Sequence, residues 1–217
     1  MSSMFRKSVL GSAIALGLLA SGQAAAELSA NVGFASEYIF RGIYQAESSA
    51  SAGVDYGHES GLYVGTWAAD VNNGIEYDIY GGYNGAVGDL SYGVGFTGYY
   101  YSDDFDGSYE ELNLSAGYGP FTVTHNIGTY NGSDIGGTDA DYTFTTVKAE
   151  YKGLYALYGT YGDEADGSYV QVGYDTDVSG FTVGGYLLKN DEDLDNNSAD
   201  GDGETRLVFT VNKAFDL

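Results

Sequence analysis

From Leu28 to Phe215 the chain changes character at every second residue, and almost nowhere does it break that rhythm. Leu28, Ala30, Val32, Phe34, Ser36, Tyr38 and Phe40 share one parity, while Ser29, Asn31, Gly33, Ala35, Glu37, Ile39 and Arg41 share the other. The same split recurs in Leu90, Tyr92, Val94, Phe96 against Ser91, Gly93, Gly95, Thr97, and in Leu207, Phe209, Val211 against Arg206, Val208, Thr210. A helix repeats every 3.6 residues, so a sustained period of two admits strands with two unlike faces and little else. Twelve strands are expected, over residues 28–41, 43–57, 61–70, 74–84, 89–101, 108–118, 121–130, 140–151, 154–162, 168–176, 180–190 and 203–215. Most reach the length of about nine to eleven residues that crosses a bilayer at a tilt.

The links between these strands alternate as well. Brief turns at Gly57–Ser60, Gly85–Gly88, Gly119-Pro120, Lys152-Gly153 and Asp177–Ser179 take turns with longer or more acidic segments at 69–73, 102–107, 131–139, 163–167 and 191–202. Short turns at one end and longer loops at the other describe an antiparallel up-and-down barrel in an outer membrane. Only Arg41-Gly42, read as a tight turn on the long-loop side, departs from this order. The one proline, Pro120, falls at a turn, where it removes no ladder hydrogen bond.

A soluble β-sandwich would alternate too, but its polar face is solvated and rich in charge. Here the second face is Gly, Ser, Asn and Thr with almost no lysine, as suits a narrow lumen into which side chains from every strand point. The 34 glycines and 22 tyrosines fit the same picture. Tyr56, Tyr83, Tyr100, Tyr118, Tyr174 and, on the same parity, Tyr38 lie near strand ends, where a ring sits in lipid and its hydroxyl among headgroups.

Residues 1–26 read as a cleaved signal peptide: Arg6 and Lys7, an apolar stretch from Val9 to Ala20 too short to span as a helix, then Ala24-Ala25-Ala26. Residues 27–217 form the barrel. Cleavage before Glu27 removes two of the eight basic residues and none of the 31 acidic ones. So acidic a chain is a poor partner for nucleic acid. With no cysteine it has neither disulfides nor thiolate metal ligands, and no cofactor is implied.

Ser36-Glu37-Tyr38-Ile39-Phe40-Arg41-Gly42-Ile43-Tyr44-Gln45 resembles the opening block of the TorF family of proposed porins, and Gly61-Leu62-Tyr63-Val64-Gly65-Thr66-Trp67 is similar to that family's second block. The resemblance covers the first quarter of the chain after residue 26. It implies a Gram-negative outer-membrane barrel with a transport role, and it implies neither a substrate nor a catalytic residue.

Parity nominates the lumen charges: Glu37, Arg41, Glu47, Asp55, Glu76, Asp78, Glu111, Lys148, Glu150 and Arg206. Arg41 would draw on Glu37 and Glu47, with Arg206 sharing those carboxylates across the seam between last and first strands. This is either a constriction that filters by charge or simple structural pairing. The acidic loops offer oxygen ligands for loosely held Ca²⁺ or Mg²⁺, or a solvated rim, and either favours cations. The expected function is passive passage of small hydrophilic solutes, biased to cations, through a barrel bathed in outer-membrane lipids. The alternatives are a non-conducting barrel with a structural, adhesive or sensing role and an interfacial lipid hydrolase using His125. An enzyme is not expected, because no Gly-x-Ser-x-Gly motif occurs and no serine is placed beside His125.

Overall fold

The computed structural model describes residues 27–195 and 202–217. The expected signal peptide, 1–26, lies outside the described residues, as does part of the acidic insertion, 196–201. The strands are β1 (Glu27–Ala35), β2 (Tyr38–Phe40), β3 (Ile43–Ala46), β4 (Ser49–Gly57), β5 (Leu62–Val71), β6 (Gly74–Val87), β7 (Leu90–Tyr101), β8 (Ser108–Tyr118), β9 (Phe121–Asn131), β10 (Ala140–Tyr151), β11 (Leu154–Asp163), β12 (Ser168–Val178), β13 (Phe181–Asn190) and β14 (Thr205–Asp216).

Among the described residues twelve of these close into one antiparallel barrel, in which every strand pairs with its sequence neighbour and β1 pairs with both β4 and β14. Closure leaves no open edge, the condition for a sheet to sit in lipid. Phe34, Ile79, Phe96 and Phe209 are each at least half exposed on the outer wall, and so are Val170, Val172 and Leu187. Tyr56, Tyr83, Tyr118, Tyr151 and Tyr174 ring the short-turn end of that wall. Lys213, on the same outward parity, lays its ammonium over Phe181 (4.3 Å) and Phe215 (5.5 Å), so its stem lies along the apolar belt near the interface.

One expectation is overturned. Residues 28–57 are not two wall strands meeting at Arg41-Gly42. The wall strands stop at Ala35 and resume at Ser49, which face each other in register. Residues 36–48 leave the wall, and β2 and β3 form a separate two-stranded hairpin. The first link therefore belongs with the long loops. The alternation continues through Tyr38 and Phe40 because a hairpin also needs two faces, but here both faces meet protein. Tyr38 packs on Trp67 and Phe40 on Tyr99, so Tyr38 is not a lipid-facing tyrosine.

The interior is filled by a recurring joint. An inward tyrosine lies across a glycine on the neighbouring strand: Tyr80 over Gly65, Tyr142 over Gly128, Tyr169 over Gly159. A methyl group at Gly128 would stand 2.5 Å from Cζ of Tyr142. That ring cannot swing aside freely, because its hydroxyl donates to Glu111 at 2.6 Å. Gly128→Ala should therefore lower unfolding free energy by about 1–3 kcal/mol, read from the emission of Trp67 during urea unfolding in lipid. An unchanged midpoint would mean that the joint is loose.

Candidate functional site

Phe40-Arg41-Gly42-Ile43 closes the hairpin as a two-residue turn with positive φ at both centres, 50° at Arg41 and 89° at Gly42. Such a turn follows the strand twist, and glycine suits its second position. Arginine at the first position is strained by about 1–3 kcal/mol, so its side chain must return something.

It does so through Glu111 on β8, on the far wall. The Arg41 guanidinium grips that carboxylate with both Nη atoms, Nη1 to Oε1 and Nη2 to Oε2 at 2.8 Å. Nη2 also donates to the Tyr99 hydroxyl at 3.2 Å. Glu111 collects three more donors: Tyr142 (2.6 Å), Tyr99 (3.1 Å) and Asn113 Nδ2 (2.9 Å). Asn113 in turn is held by Thr97 and reaches Asn126. The guanidinium lies between the rings of Phe40 and Phe144, 4.8 and 4.5 Å from their centroids. A planar, fork-shaped cation meets these demands, and an ammonium would not.

Three further anchors fix the hairpin. On β6, Glu76 accepts the Tyr38 hydroxyl at 2.7 Å. From β13, the amide of Asn190 donates to the Gly42 carbonyl at 2.8 Å, and Gly42 nests against Leu194 and Tyr169 so closely that a Cβ would be 2.8 Å from each. On β14, Arg206 pairs with Glu37 at 3.0 Å and with Glu204, under the ring of Tyr44 at 4.3 Å. Ile39 and Ile43 pack on an apolar layer of Phe144, Tyr155, Tyr169, Tyr186, Leu188, Leu194 and Val208. Bonds to β6, β8, β13 and β14 mean that the hairpin crosses the lumen from side to side in its long-loop half.

The nominated charges thus divide. Arg41, Glu111, Glu76, Glu37 and Arg206 meet at the hairpin. Arg41 is partnered by Glu111 and not by Glu37 or Glu47, and Arg206 takes Glu37 without sharing it with Arg41. Glu47 is exposed at the base of the hairpin, away from the turn, because the segment folds inward rather than running up the wall. Asp78 lies beside Glu76 on the same face of β6. Lys148 and Glu150 pair at 2.8 Å near the short-turn end. Asp55 accepts Tyr80 (2.5 Å) and Asn31 (3.1 Å) in another part of the lumen. Tyr99, Tyr142, Asn113 and Asn190 went unrecognised as site residues. Their inward parity was legible, but which cation they serve depends on where the hairpin tip lands.

Several of the loop carboxylates build the loops. Asp106 accepts the hydroxyls of Tyr109 (2.7 Å) and Tyr130 (2.9 Å), Asp134 binds Ser108, and Asp191 binds Ser168. The Ser133 backbone N–H, 2.9 Å from Asp139, holds that carboxyl below its ordinary range. Among the described residues no three His, Cys, Asp or Glu side chains are grouped to hold a metal. His125 faces outward and bonds Thr145 across strands at 2.9 Å, which satisfies two polar groups on an apolar wall.

No curated protein matches the chain. Among solved structures the KdgM porin superposes with a TM-score of 0.57 at 10% identity, over 86% of this chain and 99% of that one. A membrane protein from a study of in-meso crystallization gives 0.57 at 12% identity, over 88% and 84%. Pseudomonas aeruginosa OccK2 gives 0.43 at 13%, over 88% and 67%. At these identities the likeness is one of fold, a porin-like barrel. The model of the Gcw_chp family matches residues 19–215. The chain accordingly belongs to Gcw_chp, a family of bacterial proteins of unknown function.

Proposed function

We propose that the protein is an outer-membrane porin that passes small hydrophilic solutes, preferentially cations, and that its β2–β3 hairpin closes the outer half of the lumen in the conformation described. The observation that carries this reading is the hairpin itself, a separate element held across a closed barrel by side-chain contacts. Such contacts can be released without unpairing any wall strand. The likeness to the KdgM porin and the resemblance of the hairpin sequence to the TorF family point the same way. Carboxylates outnumber cations along the lumen, which favours positive solutes.

One observation favours a second reading, a non-conducting barrel with a structural or sensing role. Glu76 and Asp78 are 0% exposed and Glu111 is 3% exposed, so these three carboxylates are shut away from solvent. Single-channel recording in a planar bilayer under a salt gradient separates the two. The porin reading expects intermittent openings with a cation-biased reversal potential. A folded, heat-modifiable barrel that stays silent, with and without its hairpin, would leave only the second.

A further inference from the structure

The anchoring of the hairpin leaves two carboxyls without a cation of their own. Glu76 and Asp78 stand two residues apart on β6, so both face the lumen, and neither is exposed at all. Glu76 Oε1 takes the Tyr38 hydroxyl, but its Oε2 and both oxygens of Asp78 meet no hydrogen-bond donor within the protein. The hairpin is their roof. Trp67 and Tyr99 stand opposite Asp78 on the flanking strands, and each carries a hairpin ring, Tyr38 on Trp67 at 6.0 Å and Phe40 on Tyr99 at 5.5 Å. The groups around the pair do not balance it. The hairpin brings Tyr38 and Arg41, β7 brings Tyr99 and Tyr101, the β7–β8 loop Asp106, β8 Glu111, and β6 itself Tyr80. β5 presents Trp67 and Ala69, which carry no charge. Arg41 is the one cation in this set, and Glu111 grips it with both oxygens.

Two buried carboxyls in such a place are neutral because they keep their protons. A carboxylate there would need water or a partner, and the seated hairpin denies it both. Once the hairpin lifts, the pair meets water and ionises as ordinary carboxyls do. We propose that the β2–β3 hairpin is a proton-linked closure, in which Glu76 and Asp78 take up protons as it seats and give them up as it lifts. The seated state holds more protons, so acid favours it and a rise in pH lifts the hairpin. The ratio of lifted to seated barrels moves by up to about tenfold per pH unit for each proton released. The Arg41–Glu111 and Arg206–Glu37 pairs would give the opposite sign, because acid breaks them. This inference rests on one part of the proposed function, a hairpin that can lift, and not on whether the barrel conducts.

Trp67, the one tryptophan of the chain, loses its Tyr38 cover when the hairpin lifts, and it reports that event without any current. The full chain, folded in detergent, is quenched with acrylamide from about pH 5 to about pH 9, short of the ionisation of free tyrosine. Quenching of Trp67 should climb as the pH rises. Glu76→Gln combined with Asp78→Asn should hold the curve flat at its acid level. Asp78→Asn alone, the milder change, should make the rise shallower by about one proton. A flat wild-type curve, a curve that falls with pH, or a rise that survives both substitutions unchanged would overturn the proposal. Should the double variant not fold, the sign of the wild-type curve and the slope of Asp78→Asn still decide. Planar-bilayer records at the same pH values keep the two readings apart. If Trp67 is uncovered at alkaline pH in a silent barrel, the linkage stands and conduction falls. If openings occur while neither they nor the quenching follow pH, the porin stands and the linkage falls.

Discussion

Replacing residues 36–48 by Asn-Gly should turn an intermittently conducting barrel into one that carries a steady, several-fold larger current. The cut is feasible because Ala35 and Ser49 already face each other in register, and a two-residue turn bridges such a pair. Removing the hairpin takes Ile39, Phe40 and Ile43 from the lumen and opens Glu76, Asp78 and Glu111 to water, where an unpaired carboxylate is no longer expensive. Wall pairing is untouched, so the variant should still run as a heat-modifiable barrel. Planar-bilayer recording and liposome swelling with small sugars check the outcome. If the shortened barrel folds and remains silent, the tyrosine and leucine layer around Phe144 and Leu188 closes the lumen by itself, and the porin reading is lost.

Arg41→Ala is the second large effect, and it works by a different route. The side chains of Arg41 and Glu111 are 12% and 0% exposed, so their pair is not screened by solvent. Deleting the cation while the hairpin stays seated would leave Glu111 charged and buried, at a cost of about 3–5 kcal/mol. The hairpin can avoid that penalty by lifting and letting water in. The expected result is therefore a lower unfolding midpoint together with more frequent openings. Arg41→Lys should fall between, because an ammonium cannot grip both carboxylate oxygens. Arg41→Leu combined with Glu111→Leu should recover much of the stability, since it removes the charge that is left behind. Urea unfolding followed through Trp67, alongside single-channel records, tests the set. An Arg41→Ala barrel as stable and as quiet as the wild type would show that the other anchors suffice.

Much of the wall was legible because a sheet in lipid writes its two faces into the chain at every step. Phe96, Ile79 and Phe209 point outward and Asn126, Thr124 and Glu111 inward, as parity requires. The hairpin was not legible, for a physical reason. Period two marks a strand and its faces, but it does not say which sheet the strand joins. Tyr38 and Phe40 carry the same signature as Val32 and Phe34, yet they pack against Trp67 and Tyr99 inside the barrel while the others are exposed on its outer wall. The partner of Arg41 was hidden for the same reason. Local spacing offered Glu37 and Glu47, whereas the true carboxylate lies 70 positions downstream on the opposite wall. Two clues were present in retrospect: an Arg-Gly turn calling for positive φ at both residues, and a connection that seemed too short for its end of the barrel.

The order in which the hairpin's partners appear along the chain bears on how the molecule is made. The hairpin precedes every one of its anchors in the chain, and those anchors arrive in stages. Arg41 waits for Glu111, Gly42 for Asn190 at a separation of 148, and Glu37 for Arg206 at 169. Arg206 belongs to β14, the strand that closes the seam against β1. A sheet assembled only through β8 would hold the hairpin by Tyr38–Glu76 and Arg41–Glu111 alone, without the Asn190 and Arg206 anchors. The full set of anchors comes only with the last strand, so a hairpin held by all of them marks a finished wall.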